Sequence, residues 1–302
     1  MWSFFGSQIS GLVGSNPFDS QTKSILQVWK KHCPDAVEAA YKRLQNVGQL
    51  EEDRPPVLET IINADEKIKT ELTTAIASED QVVRQQAVQG VVDHIVGTRK
   101  DVSIVHVEDL ISQVKSHVNT ARGIRDEEKG VEMYSTNEHK KVGERNSKFY
   151  KSYLYASWKG RKVKYMIGGR VDGITEDGIL LEVKNRQRRL LGRVPDHENV
   201  QIQIYMYLLG ITECHLVECY KTTTQKHIVY YDNELVTSIL EELERVALLL
   251  DHLSVCQSSQ DNLLTTDGPL VWCEQHMSED VNQDSEHVVE DFMVSDSPDA
   301  EL

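Results

Sequence analysis

The chain of 302 residues is 39% hydrophobic, 7% aromatic and 27% charged, ordinary values for a globular protein of one large domain or two smaller ones. No apolar run approaches the ~18–20 residues that a membrane span needs, which excludes an integral membrane protein. The net charge of −15, taken whole, argues against a nucleic-acid partner, and five scattered cysteines (33, 214, 219, 256 and 273) exclude a disulfide framework and suit a reducing compartment.

The first residues, MWSFFGSQISGLVG, show no basic n-region, no long apolar core and no Arg-rich amphipathic pattern. No signal or transit peptide is expected, which leaves cytoplasm, nucleus or a viral factory as compartments. Residues 20–120 read as helical. QTKSILQVWKKH, VEAAYKRLQNV, PPVLETIINADEKIKTELTTAIA and DQVVRQQAVQGVVDHIV carry apolar residues at three- and four-residue spacing, broken by Pro34, Pro55, Pro56 and Gly97. A mostly helical region over 1–100, held by its own apolar faces, is the expectation.

From about Ser147 the pattern changes. KFYKSYLYASW and VKYMIGGRVDGI read as strands around a turn at Lys159–Arg161, and GILLEVK (178–184) as a third. The apolar run VQIQIYMYLLG alternates with period two, so pattern alone leaves it open between strand and helix. ECHLVECYK and KHIVYYD read as two strands around TTTQ, and DNELVTSILEELERVALLLDHL as a helix capped by Asp232 or Asn233. The expected architecture is α/β over 101–255. Beyond 256 the chain has no Lys or Arg and many Asp, Glu, Ser and Gln, which predicts a disordered acidic tail over 256–302, with LVWC (270–273) able to dock locally.

Charge is segregated along this order. Residues 1–119 hold 12 Lys and Arg against 16 Asp and Glu, residues 120–230 hold 20 against 14, and residues 251–302 hold none against 13. A phosphate-binding surface therefore belongs to the central stretch.

That stretch also carries the chemistry. Glu182 and Lys184 are two apart in a predicted strand and share a face, while Val183 points to the other layer. Asp172 ends the strand before, and pairing through the 173–178 connection brings it to the same end as Glu182. Two converging carboxylates make an oxygen site for a hard cation such as Mg²⁺, and a neighbouring ammonium orients or deprotonates a water. These are the parts of metal-assisted phosphodiester hydrolysis. The competing reading makes Glu182 and Lys184 a surface ion pair. Upstream, Ile124, Glu127, Val131 and Tyr134 form one helical stripe with an acid on an otherwise apolar face. Downstream, Gln201 and Gln203 sit in an apolar run where a carboxylate or a metal-bound water would satisfy them.

The order Arg122-Gly-x-x-x-Glu127, Gly169-Arg-Val-Asp172-Gly, Leu-Glu182-Val-Lys184 and Gln201-x-Gln203 resembles the PD-(D/E)XK nuclease superfamily, in particular its phage lambda exonuclease and YqaJ-type recombinase branch. The resemblance covers residues 121 to about 254. It implies a restriction-endonuclease-like mixed central sheet flanked by helices, with the Gln motif on a helix. It further implies Mg²⁺, or Mn²⁺ as substitute, bound by Asp172, Glu182 and the Val183 carbonyl. Lys184 would act on the attacking water, with Glu127 and Gln201 completing the site and Glu127 reaching the metal through a water. Val171 stands where the motif's name has proline. The N-terminal hundred residues resemble no known family.

Family relatives with an iron–sulfur cluster carry one early and three late cysteines, whereas Cys214 and Cys219 lie in predicted strands here. No cluster is expected, and no zinc, since paired Cys/His spacing is lacking. Arg186, Arg188, Arg189 and Arg193, with Lys162 and Arg122, are the expected DNA contacts, made to phosphates rather than bases. Arg122 has a second reading as a helix cap. The sequence thus predicts a Mg²⁺-dependent DNA exonuclease of recombination, repair or replication, 5′-to-3′ by resemblance, with DNA and a single-strand-binding or annealing protein as partners and no membrane. Two rivals are a catalytically silent nucleic-acid-binding or assembly protein on the same fold and a scaffold whose helical half is the working part.

Overall fold

A computed structural model describes residues 1–49, 58, 61–62, 65–98 and 107–265, with the side chains of 107–109 left aside. The elements run β1 (Trp2–Phe5), α1 (Gly6–Leu12), α2 (Gln21–His32), α3 (Pro34–Asn46), α4 (Glu66–Ala77), α5 (Gln81–Thr98) and α6 (Val107–Glu138). Next come β2 (Val142–Gly143), β3 (Tyr150–Trp158), β4 (Arg161–Gly169), β5 (Gly173–Thr175) and β6 (Leu180–Asn185). The chain continues through α7 (Asp196–Leu209), β7 (Glu213–Tyr220), β8 (Thr223–Tyr230), α8 (Asn233–Leu253) and α9 (Gln257–Thr265). The architecture is α/β with mixed sheets and a mostly helical N-terminal region, as expected.

Two sheets stand where one was expected. The order β1-β4-β3 makes a three-stranded sheet and β2-β5-β6-β7-β8 a five-stranded one. The predicted strand VKYMIGGRVDGI breaks at Arg170–Asp172, so β4 serves the first sheet and β5 the second. In the larger sheet β6 and β7 run parallel with all other neighbours antiparallel. Both are buried over most of their length, which is why ILLEV and CHLVEC read as near-continuous apolar runs.

Local signals explain most boundaries. Ser20 caps α2 by accepting from the Lys23 N–H, Pro34 opens α3, and Asp232 caps α8 through the Glu234 and Leu235 N–H groups. Asp65 caps α4 in the same way, which starts that helix inside the single helical run read over 55–77. Gly97 lies one residue before the last of α5, Thr98. The hairpin turn between β7 and β8 falls at Lys221 and Thr222, with Lys221 left-handed (φ 54°), so β8 begins inside the TTTQ expected as turn.

Three corrections bear on domain organisation. Trp2–Phe5 reads as no element in the sequence, yet pairs parallel with β4 from Trp2↔Tyr165 to Phe5↔Gly168, so the N-terminus is built into the sheet. Helix α6 serves two cores: Leu110, Val114 and Val118 pack with α4 and α5, while Val131 and Tyr134 pack with Leu181, Val183 and Val217 of the sheet. The acidic tail, expected unstructured from 256, starts later, because α9 buries Leu263 and its Gln260 and Asp261 accept from the Arg43 guanidinium. The chain divides into a unit of Met1–Asp267 and a unit of Gly268–Leu302, the latter with LVWC outside the described residues. Among the described residues no helix is long and apolar enough to cross a membrane.

Candidate active site

Sheet register brings the two central acids together. β5 pairs antiparallel with β6 at Gly173↔Leu181 and Ile174↔Leu180, and one further step sets Asp172 opposite Glu182. The Asp172 carboxylate accepts from the Val183 N–H at 2.8 Å. Both acids are buried, with 8% of Asp172 and 3% of Glu182 exposed, so Glu182 and Lys184 are not a surface pair. The Lys184 ammonium donates to Glu182 Oε1 at 2.8 Å and to Gln201 Oε1 at 3.2 Å. Gln201 in turn donates from Nε2 to Glu182 Oε1 at 3.1 Å, so side chains from two elements close around one carboxylate oxygen. The other, Glu182 Oε2, is buried with no hydrogen-bond partner. A buried carboxylate oxygen left unserved is costly unless something absent from the protein chain serves it.

Helix α7 supplies Gln201. Its residues Ile202, Gln203, Ile204, Tyr205 and Met206 are all buried, so the helix sits inside the fold and shows no amphipathic stripe. This removes the period-three signal from the sequence and leaves the strand-like alternation to mislead. Gly210 ends the helix in the left-handed conformation (φ 66°). Tyr205 follows Gln201 by one turn and takes a 3.3 Å hydrogen bond from its amide. The Tyr205 ring fills the space beside Gly169, where a Cβ would lie 2.6 Å from Cε1. Gln203 answers elsewhere: its amide donates to the Tyr230 carbonyl and accepts from the Asp232 N–H, pinning α7 to the start of α8 rather than meeting a carboxylate.

Helix α6 supplies Glu127. It lies close on β6 because residue 130 is glycine, where any Cβ would overlap Val183 Cγ1. Of the predicted stripe, Val131 and Tyr134 are buried and Glu127 half-buried, but Ile124 is 64% exposed. Asn146, in a left-handed loop position (φ 47°), donates to Glu127 Oε2 at 3.1 Å and ties its own N–H to the Val171 carbonyl. Asn146 and Tyr205 escaped the sequence reading. The four-residue spacing of Tyr205 from Gln201 is a usable helical signal; Asn146 leaves none.

The charges of the cluster act strongly on one another. Burial, then the carboxylates of Glu182 and Glu127, push Asp172 well above the ordinary carboxylate range, against the pull of the Val183 N–H. Burial pushes Glu127 up, its Asn146 hydrogen bond pulls back, and Glu182 adds to the rise. Burial would lower Lys184, but the charge and hydrogen bond of Glu182, with Asp172, outweigh it and hold the ammonium above its usual value. Three carboxylates thus crowd one ammonium. Among the described residues no three Asp, Glu, His or Cys side chains already encircle one point as a metal cage, and Asp172 and Glu182 form the opposed pair.

The basic residues divide. Arg188, Arg189, Arg193 and Lys162 are exposed. Arg186 is not: its guanidinium grips Glu198 with two nitrogens (2.5 and 2.7 Å) and Glu218 with Nε (2.5 Å), its side chain only 14% exposed. Burial works against the Glu218 charge, but His227, Arg186 and the N–H groups of Gly192 and Leu191 together lower its pKa. The triad fixes the loop that follows β6. Arg122 donates to the carbonyls of Ile76 and Ser78 at the end of α4, the helix-capping role. A cleft of about 510 Å³ lies beside it, lined by Arg84, Arg122, Lys129, Arg186 and Lys221. None of Asp172, Glu182, Lys184 and Gln201 lines that cleft, so its shape is no guide to the chemistry.

No protein-family model matches the chain, and no curated protein matches it. Among solved structures it is similar to an alkaline exonuclease from Laribacter hongkongensis, at 15% identity and a TM-score of 0.36 over 63% of this chain and 95% of that one. It is also similar to SSO0001 (18%, TM-score 0.34, 61% and 84% covered) and to a phage-related exonuclease from Haemophilus somnus 129PT (13%, TM-score 0.32, 65% and 93% covered). Likenesses this distant carry no argument about chemistry, which rests on the side chains.

Proposed function

We propose that this chain is a metal-dependent deoxyribonuclease, an exonuclease rather than an endonuclease, acting in DNA recombination, repair or replication. The observation that carries the reading is the opposed Asp172–Glu182 pair, buried, with Glu182 Oε2 unserved and an ammonium 2.8 Å from Oε1. The all-oxygen donor set fits a hard divalent cation, Mg²⁺ with Mn²⁺ as substitute. Asp172, Glu182 and the Val183 carbonyl would hold it, with Glu127 reaching it through a water. When bound, such an ion supplies charge for the entering and leaving oxygens of an in-line displacement at phosphorus.

The chain's own groups do the rest. Lys184 has three N–H donors, two of them taken by Glu182 and Gln201, and the third serves the attacking water or a non-bridging phosphate oxygen. Gln201 fixes Lys184 and Glu182 relative to each other, and Tyr205 fixes Gln201. Arg188, Arg189, Arg193 and Lys162 neutralise backbone phosphates without reading bases. The 5′-to-3′ polarity follows from the resemblance to the lambda-like branch alone.

The test is end-labelled linear DNA against closed circular DNA, with Mg²⁺ or with EDTA. Mg²⁺-dependent loss of the linear species with the circle spared is the expected result. Asp172→Ala and Lys184→Ala should each abolish cleavage while the circular-dichroism spectrum is kept. Undiminished cleavage by either variant refutes the assignment.

A further inference from the structure

The sheet β1-β4-β3 packs one face on helices, and its other face is exposed along β3, where Lys151, Tyr153, Tyr155 and, on β4, Lys164 have no part in the proposed chemistry and adjoin Lys162, which has. Along β3 the outward positions are Lys151, Tyr153, Tyr155 and Ser157; of their partners on β4, Lys164 and Lys162 are exposed while Gly168 and Met166 are buried. Tyr153 is 45% exposed and Tyr155 48%. Both rings therefore offer apolar surface and a π-face to solvent. Lysine ammonium groups stand over the rings: Lys162 lies 4.3 Å from the Tyr155 centroid, Lys164 4.9 Å from that of Tyr153, and Lys151 5.6 Å from that of Tyr153. None of these three lysines has an ion-pair partner among the described residues.

We infer that this face is a binding platform for single-stranded nucleic acid, with bases stacking on Tyr153 and Tyr155 and phosphates neutralised by Lys151, Lys162 and Lys164. Three features select this occupant. Exposed rings offer π-faces to any base, whereas a duplex keeps its bases stacked on one another and cannot use them. The unpaired cations complement a polyanion and would be costly to bury beneath an apolar protein surface. The two rings, two residues apart on one strand, are spaced by about 7 Å, enough for successive bases of an extended strand. The register partners of the two rings, Met166 and Lys164, precede Asp172 by six and eight residues along the chain. The inference deepens the nuclease reading, in that the platform would hold the single strand leading to or from the cleavage point.

Fluorescence anisotropy of a labelled oligothymidylate in EDTA, with the full chain, tests it independently of cleavage. Replacing both rings (Tyr153→Ala with Tyr155→Ala) should weaken single-strand binding by roughly tenfold or more, since stacking on a ring is worth ~1–3 kcal/mol per base. The pair Tyr153→Phe with Tyr155→Phe should bind as the wild type does, and Lys151→Glu with Lys164→Glu should weaken binding and reduce its salt dependence. Hydrolysis of a small phosphodiester, bis(p-nitrophenyl) phosphate, should be unchanged in the double alanine variant, because that substrate cannot span the platform. Single-strand affinity within twofold of wild type in both the alanine and the glutamate variants overturns the inference. So does self-association of the glutamate variant's lysine-to-alanine counterpart with DNA affinity intact, which would make these lysines guards of an exposed edge strand. If the wild type binds through the rings but hydrolyses no phosphodiester, the platform stands and the nuclease reading fails.

Discussion

Glu182 has one carboxylate oxygen served twice over and the other not at all. Asp172 across from it is buried beside two further acids. Such crowding is expensive for a folded chain, and strained, charge-crowded positions cluster at functional sites. Asp172→Asn keeps an oxygen for the Val183 N–H and removes one of the repelling charges. It should therefore raise the melting temperature in EDTA by about 1.5 °C, the shift that ~1 kcal/mol gives in a chain of this size, while abolishing cleavage. Calorimetry of the two metal-free proteins decides; a lower melting temperature would mean that the carboxylate stabilises the fold and is not a strained ligand. At this scale the sequence was most informative where spacing implies geometry. Glu182 and Lys184 share a strand face, and Gln201 meets both. The ion pairs of Arg186 are not legible, because nothing in NRQRRLLGR tells that Glu198 and Glu218, 12 and 32 residues away, close on it. Arg122 caps a helix for a similar reason: its partners are backbone carbonyls, which leave no mark in sequence.

Elements were legible in proportion to how much of their surface meets water. Helix α8, half-buried with an Asp cap, follows its pattern closely, whereas α7, buried all round, does not. Strand β1 was missed because four residues carry no period, and its pairing partner lies some 160 positions away. The seam between α6 and β7 carries a further consequence. There the buried Tyr134 hydroxyl meets His215 Nδ1 at 2.6 Å, and Glu213 meets its Nε2 at 3.0 Å. Burial lowers the His215 pKa from 6.5, against the raising effect of Glu213 and with help from Lys226. The unfolded chain then binds this proton more readily than the folded one, so stability is full above 6.5 and is lost as pH falls below it. Urea midpoints measured on either side of that value should show the loss, and His215→Gln should diminish it. An equal loss in the variant would move the acid sensitivity to other groups.

For the whole molecule, charge is distributed so that average values mislead. Residues 268–302 hold ten acidic and no basic residues, two-thirds of the net charge of −15, while 120–230 is basic. A polyanion therefore meets the repulsion of the acidic segment's charge as well as the attraction of the basic stretch. Ending the chain at Asp267, the boundary of the first unit, should tighten DNA binding at low salt, and the difference should vanish as screening grows. Equal affinity of the two chains at low salt would show that the acidic segment has no electrostatic influence on the basic stretch. The account as a whole rests on a divalent ion seated between Asp172 and Glu182. Crystals soaked in Mn²⁺ and measured at its absorption edge test this most directly. The account predicts an anomalous peak within bonding distance of Glu182 Oε2 that is lost in Asp172→Ala; a wild-type site with no peak under those conditions would contradict it.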